Sequence, residues 1–130
     1  MKEKVIDGFN KENGFMKHNG FKIVELDEEH AIMEYKIKQD GLNPIDIVHG
    51  GILFGLADSC AGVLASITGK FPVTTSSNIN YLSPGKGEKL IAHATILKVG
   101  KSIGYYMVDI FDDNNKKVAN ATVNMYFSNK

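Results

Sequence analysis

The chain has 130 residues, room for one domain with a proper core, and its fifteen lysines balance fifteen acids to a formal charge of zero. That balance gives no electrostatic case for nucleic acid or for an anionic membrane surface. There is no arginine, so any phosphate must be met by lysine, backbone N–H groups or hydroxyls, and the single Cys60 excludes an internal disulfide or a cysteine-based zinc site.

Residues 1–20 read as a helical segment. Val5, Ile6, Phe9 and Met16 recur among lysines and glutamates, which predicts a short amphipathic helix over 3–17, interrupted near Asn13-Gly14. Met1 to His18 is mixed and charged rather than apolar, so no secretory signal is expected and the cytoplasm is the default location. Phe21 to Asp27 predicts a strand, with Phe21 and Ile23 on one face and Val24 and Leu26 on the other. Asp27-Glu28-Glu29 makes a charged turn. A second half-buried strand, His30 to Lys38, sets Ala31, Met33, Tyr35 and Ile37 against Ile32, Glu34 and Lys36, and the pair reads as a hairpin.

A loop from Gln39 to Val48, with Gly41 and Pro44, leads into a helix over 51–68, whose end is signalled by Gly69 and Pro72. Four strands complete the chain, over 73–82, 89–99, 102–111 and 117–128. The last alternates clearly, Ala119, Ala121, Val123, Met125 and Phe127 against Asn120, Thr122 and Asn124. Short turns imply antiparallel neighbours. One helix cannot cover a flat six-stranded sheet, but a sheet that curls can bury both. The expected class is α+β, one domain over 1–130, with an antiparallel sheet wrapped around a single long central helix.

The chemistry concentrates where that helix begins. Asp58 is the one acid in the longest apolar segment, and an unpaired acid there is costly to bury. Helical spacing puts Gly51, Phe54, Gly55, Ala61, Gly62 and Ala65 on its face, nearly all small, which favours close approach of a ligand or a partner helix. The plainer alternative is an aspartate accepting hydrogen bonds from a nearby strand. In His49-Gly50-Gly51, the Gly50 N–H falls where a helix start lacks internal acceptors, and it can polarise a carbonyl oxygen. Two glycines can equally serve only to turn the chain tightly. Cys60 reads as a small core residue. Asp27-Glu28-Glu29-His30 carries metal-capable side chains but is better explained as a charged turn. Gly100-Lys101-Ser102 has the tail of a phosphate-binding loop, yet Thr95 stands where its first glycine belongs, and no HExxH, GxSxG or GxGxxG occurs.

Asn43-x5-His49-Gly50-Gly51-x6-Asp58 resembles the signature of hotdog-fold acyl-CoA thioesterases of the phenylacetate-pathway (PaaI) type. The resemblance continues through Val73-Thr74-x3-Asn78-Ile79-Asn80-Tyr81-Leu82-x-Pro84 and Lys98-x-Gly100-Lys101-Ser102, and spans roughly residues 15–128. It implies a thioester hydrolase that uses no cofactor and no metal. Asp58 would be the nucleophile or the base that activates water. The Gly50 N–H would polarise the thioester carbonyl, with Gly51, His49 and Asn43 shaping or contacting that site. Thr74 falls where the family has a hydroxyl that positions water. Lys98 and Lys101 fall in the segment that contacts coenzyme A phosphates, where relatives often carry arginine. Ser83 stands where many relatives have a basic residue.

A carboxylate and one good oxyanion donor suffice for a thioester without a Ser-His-Asp set. The expected partners are an acyl-CoA substrate and a second copy of the chain, as a homodimer or a dimer of dimers, with no nucleic acid and no membrane. Gly50 and Asp58 lie about 12 Å apart along one helix at ~1.5 Å per residue, so one chain cannot bring both to the same carbonyl. The competing reading is a non-catalytic acyl-CoA sensor on the same fold. A hotdog hydratase would need a histidine and an acid placed differently.

Overall fold

A computed structural model of the chain describes residues 2–12 and 14–129. Two helices, α1 (Lys2–Glu12) and α2 (Gly14–Asn19), precede the hairpin of β1 (Phe21–Leu26) and β2 (His30–Lys36). The long helix α3 (Gly50–Ser66) follows, and then β3 (Phe71–Tyr81), β4 (Lys89–Val99), β5 (Ile103–Asp112) and β6 (Lys117–Ser128). The expected break in the N-terminal helix falls at Asn13, which lies outside the described residues. Pro72 does not end α3; it already belongs to β3, and Gly69, at φ +82°, makes the turn between them.

The six strands form one sheet in the order β1-β2-β4-β5-β6-β3, every neighbouring pair antiparallel. After β2 the chain leaves the sheet, runs through α3, and returns at the far edge, where β3 pairs with β6. The sheet therefore wraps α3. Its inner face supplies Met33, Tyr35, Leu90, Val108, Ile110 and Val123, all buried. Against them the helix presents Leu53, Leu56, Cys60, Val63 and Leu64. Each such side chain contributes about 1.5–3 kcal/mol by leaving water. Ala31, Ala92 and Ala94 keep the sheet surface low under the helix, close enough for the Cys60 thiol to donate to the Ala31 carbonyl at 3.5 Å.

Two faces differ from expectation. In β1, Phe21 and Ile23 point inward as predicted, but so does Leu26, whereas Val24 is exposed. A bulge between Ile23 and Glu25 adds one residue to the ladder and reverses the alternation after it. On α3, Ala61 and Ala65 belong to the core rather than to the face of Asp58. The sheet's curl covers them, and the open strip keeps Gly51, Phe54, Gly55, Asp58 and Gly62. The Asp27–His30 segment is the charged turn expected: the Asp27 carboxylate accepts from the Glu29 and His30 N–H groups at 2.8 and 2.9 Å. Among the described residues no helix is long and apolar enough to cross a membrane.

Candidate active site

The loop before α3 is built to hold the helix start still. Leu42 and Val48 form a bridge, and the His49 N–H donates to the Gly41 carbonyl at 2.8 Å. Gly41 is required there because a Cβ would overlap the Tyr35 hydroxyl. Asn43 stabilises the loop from inside, its side-chain oxygen accepting from the N–H groups of Ile45 at 3.0 Å and Ile47 at 3.2 Å.

His49 is the N-cap of α3. Its Nδ1 accepts from the Gly51 N–H at 2.8 Å, so in the neutral ring the proton sits on Nε2. This separates the two glycines. The Gly51 N–H is taken up by the cap. The Gly50 N–H makes no hydrogen bond among the described residues, so the helix begins with one free donor backed by the helix dipole. Tyr81 packs against it: the phenol donates to the Gly50 carbonyl at 3.2 Å, and its ring would lie 3.3 Å from any Cβ at position 50. Composition and periodicity gave Tyr81 no role, since only the fold brings β3's end to the start of α3.

Asp58 sits half-buried in the middle of α3. Thr74 on β3 donates its hydroxyl to the Asp58 carboxylate at 2.6 Å. A bulge between Thr74 and Ser76 lies beside this contact, a common device for aiming a side chain at a site. No lysine or histidine forms an ion pair with Asp58 among the described residues, so the carboxylate keeps its free lone pairs. Both residues line a cavity of about 760 Å³ whose walls include Phe9, Phe15, Met16 and Met125. Asn43 and Gly50 line a separate cavity of about 360 Å³ with Tyr81 and Ser83. The chain thus brings Asp58 to Thr74, and Gly50 to Asn43, but holds the two pairs apart. Lys98 and Lys101 are exposed and line neither cavity.

Residues 46–119 match the thioesterase superfamily. The chain belongs to that superfamily. It is a thioester hydrolase of the PaaI type with the hotdog fold. It is similar to acyl-coenzyme A thioesterase PaaI of Escherichia coli, 33% identical over 101 residues that cover 77% of this chain and 72% of the relative. The solved E. coli PaaI protein superposes with a TM-score of 0.92 at 26% identity, covering 97% of this chain and 92% of that one. A thioesterase protein of Streptococcus pneumoniae, solved with coenzyme A, superposes at 0.80 with 27% identity, over 88% of this chain and 98% of that one. That streptococcal thioesterase has also been solved with an aspartate, and separately a threonine, changed to alanine. Those two positions stand as far apart in its chain as Asp58 and Thr74 do here.

Proposed function

We propose that the protein hydrolyses acyl-CoA thioesters to a free acid and coenzyme A, at a site completed by two copies of the chain. The observation that carries this reading is the Asp58–Thr74 pair: a carboxylate with no cation partner among the described residues, hydrogen-bonded at 2.6 Å by a hydroxyl and open to a cavity. Asp58 either attacks the thioester carbon, expelling the thiolate and leaving an anhydride for water to open, or takes a proton from the water that attacks instead. Thr74 aims the carboxylate in both cases. The free Gly50 N–H receives the carbonyl oxygen as it gains negative charge. Asn43 and His49 frame that donor, with the Asn43 amide and the His49 Nε2 turned to the substrate. Lys98 and Lys101 meet the phosphates of coenzyme A. The streptococcal relative's coenzyme A and the E. coli relative's name support the choice of substrate.

The split between the cavities supports the two-chain site. A nucleophile and an oxyanion donor must both come within about 3 Å of one carbonyl. Two antiparallel α3 helices related by a two-fold axis set the start of one beside the middle of the other. Gly51, which is exposed, and Gly62 beside Asp58 leave room for that approach, whereas Gly55 is already covered by Phe15. The test is thiol release from a panel of acyl-CoAs, with Asp58→Asn beside the wild type. Turnover is expected with the wild type and a loss of at least a hundredfold in kcat with the variant, binding retained. Acyl-CoA binding without turnover by the wild type would make this a binding module. A variant keeping half of the wild-type kcat would remove Asp58 from the chemistry.

A further inference from the structure

Tyr35, on β2, is sealed in the core, with 0% of its surface exposed. Its ring packs edge-on to Phe21, centroids 5.7 Å apart, and a phenylalanine ring would make that contact equally well. Only the oxygen distinguishes the two. Among the described residues that oxygen makes no hydrogen bond; the Lys38 N–H lies near it but outside bonding geometry. An orphaned hydroxyl in a core lowers stability, so its presence calls for another explanation. Burial raises the phenol above its ordinary 10.0, the Lys38 N–H working against the rise and the Asp40 carboxylate adding to it. At neutral pH the group is therefore an uncharged hydroxyl that keeps its proton.

What the oxygen touches is Gly41. A Cβ at that position would overlap the phenol oxygen and would stand 3.5 Å from Cγ1 of Ile52, in the first turn of α3. Gly41 is thus wedged between Tyr35 and the helix start. Its two polar groups are tied as well. The N–H donates to the Lys38 carbonyl at 3.0 Å, and the carbonyl accepts from the His49 N–H at 2.8 Å. His49 caps α3, and the next N–H in the chain is that of Gly50. The phenol oxygen therefore reaches the Gly50 donor through one contact, one hydrogen bond and one peptide. A donor of this kind acts at about 3 Å from the oxygen it stabilises, and a misplacement of about 1 Å can lower turnover roughly a hundredfold.

We propose that Tyr35 is a positioning residue for hydrolysis: its hydroxyl is a spacer that holds Gly41 off the ring and so fixes the direction of the Gly50 N–H. The proposal rests on the thioesterase reading above. It gives the oxygen a role that neither ring packing nor hydrogen bonding supplies. Without the oxygen, Gly41 settles back towards the ring and His49 follows through its hydrogen bond, while the surfaces that bind substrate stay in place. An orphaned hydroxyl kept for this purpose sacrifices stability for precision at the site, the usual direction of that trade-off.

The experiment compares the wild type with Tyr35→Phe, which keeps the ring. Turnover of hexanoyl-CoA is followed by thiol release, stability by thermal unfolding, and the loop by amide hydrogen exchange of peptides within residues 39–53. Tyr35→Phe is expected to lower kcat about tenfold or more, to leave KM within about twofold, and to unfold no earlier than the wild type. The dependence of kcat on pH should keep its shape, because the hydroxyl passes no proton. Exchange should quicken in residues 39–53 and stay as it was in β4 and β5. Wild-type kcat in the variant, a fall in Tm alongside kcat, a changed pH profile or unchanged exchange would each overturn the assignment. A wild type that binds hexanoyl-CoA but does not hydrolyse it would sink the thioesterase reading alone. The exchange comparison would still decide whether Tyr35 holds the loop.

Discussion

Two side chains two residues apart on α3 meet opposite surroundings. Asp58 faces an open strip and a cavity; Cys60 is buried against the sheet, its thiol donating to the carbonyls of Ala31 and Ala92. Burial pushes the Cys60 thiol from 9.0 up to about 12. The folded state thus holds this proton more tightly than the unfolded chain does. Its contribution to stability is whole below about pH 9 and is lost as pH rises towards 12, because the unfolded thiol ionises first. At about pH 8 an aromatic disulfide reagent is accordingly expected to find no thiol in the native protein and one per chain after denaturation. Immediate reaction of the native protein would contradict the burial, and would also spoil that reagent as a monitor of coenzyme A release. Both residues were legible in the sequence, since an acid or a small thiol in an apolar helix has few roles. The contact of Tyr81 with Gly50 was not, because only the pairing of β3 with β6 brings that phenol to the start of α3.

The start of α3 concentrates most of what an element can contribute. His49 caps it through Nδ1, Gly50 leaves its N–H free, and the bridge of Leu42 and Val48 fixes the entry. His49→Ala should cost about 1 kcal/mol of stability in denaturant unfolding, the usual price of a lost cap. His49→Asn should restore it, because asparagine caps well, yet it presents no Nε2 and should leave KM raised. Full recovery of KM by the asparagine would confine His49 to capping. The position of the helix was readable to within two residues from its apolar run and its flanking glycines. The bond from the Gly51 N–H to the His49 ring was not, because capping by a histidine side chain is a matter of rotamer. The inward turn of Leu26 was hidden for a related reason. A bulge is one extra residue in a ladder, and it leaves no mark on strict alternation except a failure of it.

At the scale of the whole molecule, wrapping was predictable and strand order was not. One apolar helix and six strands require a curled sheet, but the sequence does not say that β3 crosses to pair with β6. That crossing carries Thr74 to Asp58 and Tyr81 to Gly50, the two contacts on which the proposed site rests. The two-chain proposal predicts complementation. Gly50 is the first residue of α3, where the backbone accepts proline, but a Cβ there presses the Tyr81 ring at 3.3 Å, so the folding of Gly50→Pro is checked by circular dichroism before mixing. Unfolded, mixed in equal amounts and refolded, Gly50→Pro and Asp58→Asn should form about half mixed dimers, each with one intact site, and return about a quarter of wild-type activity. Mixed dimers seen by mass spectrometry without activity would place the whole site in one chain. The crossing has another consequence, one that belongs to biosynthesis. It leaves β3, eleven residues long, as an open edge with Phe71, Val73 and Tyr81 exposed. Each chain leaves the ribosome with this edge open, and a strand of that length invites pairing with other chains, so aggregation is expected to rise with the level of expression. The run from Thr74 to Asn78 is hydroxyls and one amide, and it wets the middle of that edge while the chain waits.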